Sequence, residues 1–123
     1  MLKGADLDKL TRLVNMEILD LSLWVNLQNE DMNLLSKFPK LKRLYLKSCT
    51  SLTMQGFSNL AKCKNLELLQ LEYNNISAND LMAVQKLIGA LPKLTKIVLP
   101  VPLRLDKAFM DQLRTKFPKM SWE

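Results

Sequence analysis

The side chains best suited to catalysis are scarce in this chain. It has no histidine, which excludes His acid–base pairs, Ser-His and Cys-His nucleophiles and imidazole metal ligands. Its three glycines form no phosphate-binding loop, and neither a Cys-x-x-Cys pair nor a Gly-x-Ser-x-Gly elbow occurs. Acids such as Asp106 and Asp111 fall at helix starts or on polar helix faces, where their ordinary role is solvation. We therefore expect no catalytic residues, no metal site, no cofactor and no enzymatic activity.

What remains is recognition chemistry. Asp20, Arg43, Tyr45, Lys47, Gln70, Glu72 and Tyr73 stand between or just after leucines in short segments, and Tyr and Arg are the side chains most often found at binding hot spots. A second candidate is the basic stretch 37–47, where Lys37, Lys40, Lys42, Arg43 and Lys47 have no acid between them. With 18 Lys+Arg against 12 Asp+Glu, the net charge of +6 permits an anionic ligand, nucleic acid or an acidic lipid surface. No stacking aromatics or nucleic-acid motif accompany that charge, so a mixed basic surface is the simpler reading.

Cys49 and Cys63 are enough for one disulfide by number, but two cysteines in 123 residues are not a disulfide framework. The opening MLKGADLDKL lacks a charged segment followed by an apolar one, so no secretory signal is expected. Together these features predict buried, unpaired thiols in an intracellular protein, cytoplasmic or nuclear. The sequon Asn75-Ile76-Ser77 is then a chance match. No apolar run approaches the ~18–20 residues of a membrane span.

A long-period repeat positions these residues. Met16/Leu19/Leu21, Leu41/Leu44/Leu46, Leu66/Leu69/Leu71 and Leu94/Ile97/Leu99 each fit apolar-x-x-apolar-x-apolar, at spacings of 25, 25 and 28, and Met120 follows 26 after Leu94. The junctions Phe38-Pro39-Lys40-Leu41, Cys63-Lys64-Asn65-Leu66, Leu91-Pro92-Lys93-Leu94 and Phe117-Pro118-Lys119-Met120 also match, and three of them use proline to stop the preceding helix. Strands are predicted near 18–22, 43–47, 68–72 and 96–99. Asn29, Thr53, Ser77 and Asp106 are predicted to open the intervening helices, and Asp6 to cap a helix carrying Leu7, Leu10 and Leu13. Met32, Phe57, Met82 and Met110, each 16 after a repeat start, are expected in the core, and Trp24 is placed in the interior.

This pattern resembles leucine-rich-repeat proteins. Within them, LKRLYLKSC-TSLT-MQGFSNLAKC-KN is similar to the cysteine-containing repeats of F-box proteins, with Cys49, Leu52, Thr53 and Cys63 at the matching positions. Trp24, Asn74 and Pro102 replace the first cysteine elsewhere. The resemblance implies an α/β solenoid with a parallel concave sheet and outer helices. Residues 1–15 would form an N-terminal helical cap, and 16–123 four repeats ending in a cap or a truncation. It also implies a protein partner on the concave face, in substrate recognition or scaffolding of a ubiquitin-ligase or related assembly. The roughly 15 residues ahead of the repeats are too few for an F-box. The alternative is a small repeat subunit of the mitochondrial ATP-synthase-associated type. At the end strands, Pro100 and Pro102 suit an edge position, and Met120-Ser121-Trp122-Glu123 reads either as a fifth strand beginning or as a fold-back over the end.

Overall fold

Alternation decides the strands. In β1 (Ile18–Asp20), β2 (Arg43–Tyr45), β3 (Leu68–Gln70) and β4 (Lys96–Val98) the middle residue is buried and its neighbours are more exposed. The computed structural model describes residues 4–122 and adds β5 (Ser121–Trp122). All five strands are parallel and lie in sequence order, β1-β2-β3-β4-β5. The register follows the repeat, aligning Leu19, Leu44, Leu69, Ile97 and Trp122 across the sheet.

The strands are shorter than the five-residue segments expected at the first three positions. Leu23, Ser48 and Tyr73 adopt left-handed backbone conformations, with φ of 68°, 57° and 59°, so the chain turns away soon after each strand. Pairing nevertheless continues past the strand ends. Leu21 N donates to Tyr45 O (2.9 Å), Leu46 N to Gln70 O (2.9 Å) and Leu71 N to Val98 O (2.8 Å).

The return segments are only partly α-helical. The first, Asn29–Lys37, is a 3₁₀ helix, and the second is α2 (Met54–Ser58) running into a 3₁₀ turn, Asn59–Lys62. The third and fourth are α3 (Leu81–Ala90), entered through a 3₁₀ turn, and α5 (Lys107–Lys116). Before β1 lies α1 (Gly4–Leu10), and after β4 a short α4 (Val101–Arg104). Two of the expected openings act as such: Asn79 N donates to Ser77 Oγ (3.3 Å), and Phe109 N to Asp106 Oδ1 (3.0 Å). Thr53 precedes α2 in extended conformation.

Four expectations are corrected. Asn29 is not at the N-cap of its helix; Gln28 holds that position, and its own N–H is satisfied by Asp31 Oδ2 (2.8 Å). Asp6 lies inside the first turn of α1, and Leu13 stands beyond the helix, half exposed. Met82 is 82% exposed. Repeat three is three residues longer than its predecessor, so counting from the strand before it is misleading. Counted back from the next strand, Val84 fills the place, ten residues ahead of Leu94 as Met110 is ten ahead of Met120. Finally, β4 is not the edge. The segment with Pro100 and Pro102 forms α4, and β5 pairs beyond it, with Trp122 Nε1 donating to Phe117 O (3.3 Å).

Between sheet and helices lies one apolar cluster. It runs from Leu7 through Leu44, Phe57 and Leu69 to Leu113, and it includes Trp24, Cys49 and Cys63. Among the described residues no polar or charged side chain is fully buried. Both cysteines are unpaired, as expected. No helix among the described residues is long and apolar enough to cross a membrane.

Asn29 has a different task from the one expected. Its Oδ1 accepts from Thr53 N (3.0 Å) and its Nδ2 donates to Thr53 Oγ1 (2.9 Å), while its carbonyl accepts from Asn59 Nδ2 (3.1 Å). This joins the first return segment to the second. Gly56 permits the approach, since a Cβ there would collide with Asn29 Oδ1 and come within 3.1 Å of its Cα. Because that oxygen is held by Thr53, it cannot simply move aside. Gly56→Ala is therefore expected to destabilise the protein by about 1–3 kcal/mol despite its better helix propensity. Leu44→Ala, which empties a fully buried site, should cost about 2–5 kcal/mol. Urea unfolding measures both; an unchanged midpoint for Gly56→Ala would show that the two segments separate at no cost.

Candidate functional site

Each strand presents only two or three side chains on the face away from the core. Register then sorts them into rows. The first is Ile18, Arg43, Leu68, Lys96 and Ser121, and the second is Asp20, Tyr45, Gln70 and Val98. The third follows at the turn ends: Ser22, Lys47, Glu72 and Pro100, with Lys47 N donating to Ser22 Oγ (3.1 Å). Neighbouring strands are about 4.8 Å apart, so adjacent members of a row stand close enough to reach one common group.

The turns are held by side chains as much as by backbone. Asn74 Oδ1 accepts from Cys49 N (3.0 Å), and Asn74 Nδ2 points to the carbonyls of Leu46 (2.7 Å), Leu71 (3.1 Å) and Glu72 (3.2 Å). One repeat earlier, Cys49 Sγ donates to Leu21 O (3.2 Å), which is the same bond with a thiol in place of the amide. Trp24 occupies the corresponding place in the first repeat. It is buried there, but its indole N–H has no acceptor among the described residues. At the other end of the strands Asn65 Nδ2 donates to Pro39 O (2.6 Å) and Asn65 Oδ1 accepts from Lys93 (2.7 Å). The face is thus clamped at both edges.

All seven residues singled out from sequence lie on this face or its turn edge. Tyr45 and Gln70 are neighbours in register and both are half-buried. Arg43 is exposed at the start of β2. Lys47 Nζ sits 5.1 Å from the centroid of the Tyr73 ring, a cation–π arrangement. Tyr73 itself is 58% exposed. The carboxylates are already engaged. Asp20 Oδ1 accepts from Ser22 N (2.9 Å), and Glu72 Oε1 accepts from Arg104 Nη2 (3.3 Å). Gln70 Oε1 accepts from Glu72 N (2.7 Å), which keeps that amide group on the turn.

Arg104 is the residue sequence reasoning missed. It lies 32 positions from Glu72, just past the Pro100–Pro102 segment read as an edge strand, and its Nε is buried without a partner among the described residues. A signal was present: Pro102 suits the first turn of a helix, as it does in α4.

The basic stretch 37–47 is divided by the fold. Lys37 pairs with Asp8 of α1 (3.6 Å) and Lys42 with Glu17 (3.3 Å), whereas Arg43 and Lys47 belong to the sheet rows. Away from the sheet, Asp106 caps α5, and Asp111 stands exposed on that helix. A hydrogen bond from Lys107 and the nearby Arg114 hold the Asp111 carboxyl below its usual range. A groove of about 450 Å³ lies near the strand starts, between the turns at Leu91-Pro92 and Phe117-Pro118. No group of three or more Cys, Asp or Glu side chains among the described residues is placed to hold a metal ion. No protein-family model matches the chain, and no curated protein sequence matches it.

Asn74→Ala should remove the bridge between the second and third turns. It would leave the Cys49 N–H and the Leu46 carbonyl unsatisfied, and we expect a loss of about 1–3 kcal/mol in denaturant unfolding. Faster amide exchange at Cys49 should accompany it; unchanged exchange there would show that backbone pairing alone holds the turn.

Burial raises both thiol pKa values, Cys63 to about 11 against its ordinary 9.0, with Lys62 opposing weakly. The folded protein therefore keeps the Cys63 proton to higher pH than the unfolded chain. Its stabilising contribution is whole below pH 9 and is lost as pH rises from 9 to 11. Cys63→Ala should flatten that part of the stability–pH curve relative to the native sequence. A thiol reagent should label the native protein slowly and the denatured chain quickly, and rapid native labelling would contradict the burial.

Proposed function

We propose that this chain is a leucine-rich-repeat solenoid that works as a non-enzymatic protein-interaction module, binding its partner on the open face of the sheet. The observation that carries this is the registered array Arg43, Tyr45, Lys47, Gln70, Glu72 and Tyr73. Arg43, Tyr45 and Gln70 stand on two adjacent strands whose middle residues enter the core, and Lys47, Glu72 and Tyr73 stand on the turns that follow them. Such an array spends little of its own stability on recognition, because the side chains lie outside the packed cluster. Tyr brings large contact area at low rotamer entropy, and Arg offers a planar, bidentate donor set. The resemblance of Cys49, Leu52, Thr53 and Cys63 to F-box-type repeats supports a role in substrate recognition or scaffolding of a ubiquitin-ligase-like assembly.

Site-specific photo-crosslinking tests the location. A crosslinker at position 45 should trap a partner, and one at position 86 on the exposed side of α3 should not. With that partner purified, Tyr45→Ala should weaken binding by more than about 1 kcal/mol while leaving the unfolding free energy within about 0.5 kcal/mol. Lys86→Ala should change neither. Sensitivity at Lys86 with none at Tyr45 would move the site to the helical side and refute the assignment.

A further inference from the structure

At the first repeat the helical layer reaches one element further than the sheet. Leu7 of α1 stands 12 residues ahead of Leu19, as Met32 stands 12 ahead of Leu44 and Phe57 12 ahead of Leu69, and all three are fully buried. α1 therefore takes the helical place ahead of β1 and packs against Asn29–Lys37. In the sheet, among the described residues, β1 has β2 on one side and no strand on the other.

The outer side of β1 can be read from β2. Arg43 N donates to Glu17 O (3.0 Å), and Tyr45 O accepts from Leu21 N (2.9 Å), so Arg43 and Tyr45 turn their backbone groups toward β1. Their register partners Ile18 and Asp20 turn the same groups away from β2. The edge thus offers the N–H and C=O of both residues to an added chain. No lysine or proline lies between Met16 and Val25 to blunt it. The two acids there are engaged, Asp20 with Ser22 N and Glu17 with Lys42.

Apolar side chains line this edge where the next repeat has polar ones. Ile18, Leu23 and Val25 correspond to Arg43, Ser48 and Thr50. Ile18 is 55% exposed and Leu23 71%, and Leu23 holds its left-handed turn. Leu13, three residues ahead of Met16, is 52% exposed, although Phe38 and Leu91, three ahead of Leu41 and Leu94, are buried. Trp24 stands where Cys49 and Asn74 donate to carbonyls of the preceding turn, those of Leu21 and Leu46. Its own buried indole N–H has no such acceptor among the described residues.

We propose that β1 accepts a further strand, an extended segment of a partner protein with apolar side chains at alternate positions. Its backbone pairs with Ile18 and Asp20, and its apolar side chains lie beside Ile18 and Leu23. Strand addition of this kind draws affinity from main-chain hydrogen bonds and selectivity from alternate side chains. The occupant is a single strand and not a whole repeat, because α1 already fills the helical place. A second copy fits less well. Two β1 strands paired about a two-fold axis at Leu19 would set each Asp20 beside the other Ile18, and the Trp122 indole of β5 is committed to Phe117 O. The edge is separate from the open face, and its use does not depend on that face binding anything.

The test is selection of random-sequence displayed peptides on the intact protein, followed by titration of labelled synthetic copies. Selected peptides should carry apolar residues at alternate positions. On binding, amide exchange at Ile18 and Asp20 should slow by about tenfold or more, while Leu21, whose N–H is already held by Tyr45 O, should change little. N-methylation of every second peptide residue should abolish binding in one frame and leave it within about threefold in the other. Ile18→Arg combined with Leu23→Ser installs the residues of the next repeat. It should weaken binding by about tenfold or more with an unchanged unfolding midpoint, whereas Tyr45→Ala should leave binding intact. Peptides that ignore the double variant and leave exchange at Ile18 and Asp20 unchanged would overturn the proposal, as would peptides lost with Tyr45→Ala alone, which belong to the open face. Equal tolerance of N-methylation in both frames, failure to select any peptide, or self-association that the double variant abolishes would also overturn it.

Discussion

Everything in this structure depends on in-register parallel pairing of very short strands. Each of the first four strands contributes three paired residues, and only the middle one enters the core. A slip of one residue would exchange Leu44 for Arg43 or Tyr45 on the buried side. Three residues of pairing give little resistance to such a slip by themselves. The resistance comes from outside the strands, where side chains bridge neighbouring repeats at both ends.

At the turn end those bridges are Asn74 to Cys49 and Leu46, Cys49 to Leu21, and Ser22 to Lys47. At the other end they are Asn65 to Pro39 and Lys93. On the helical side Asn29 joins Thr53 and Asn59, with Gly56 leaving room. All of them except the Asn65–Lys93 contact satisfy a backbone group that a short irregular segment would otherwise leave unpaired. The left-handed residues Leu23, Ser48 and Tyr73 make such turns possible without glycine. Their strained conformation, costing of order 1 kcal/mol each, is tolerated because the surrounding bonds determine it.

The open face of the sheet is a by-product of the same constraint. Because every strand hides one residue and shows its neighbours, polar and aromatic side chains from separate repeats fall into rows. Rows of this kind bring together residues about 25 positions apart, such as Tyr45 and Gln70, without any loop closing around a ligand. A mutation at an exposed row position then leaves the packed cluster intact, whereas one at a bridge disturbs the contact between neighbouring repeats.

The chain's own residue order determined the repeat, the strand centres, the buried cysteines and the seven candidate residues of the face. This was possible because apolar side chains at a fixed period have to meet their counterparts in the next repeat, and alternation then assigns the rest. Tertiary structure decided what periodicity does not encode. It made the first return segment 3₁₀ rather than α, and it drew Asn29 to Thr53 while Gln28 took the N-cap position. It exposed Met82 and buried Val84, because three extra residues shifted the helix against the core. It turned the segment at Pro100 into α4 and so brought Arg104 to Glu72, 32 positions away. These outcomes depend on distances between segments remote in sequence. A local pattern shows which side chains prefer to be buried or bonded, but the partner each one reaches is settled only when the segments pack.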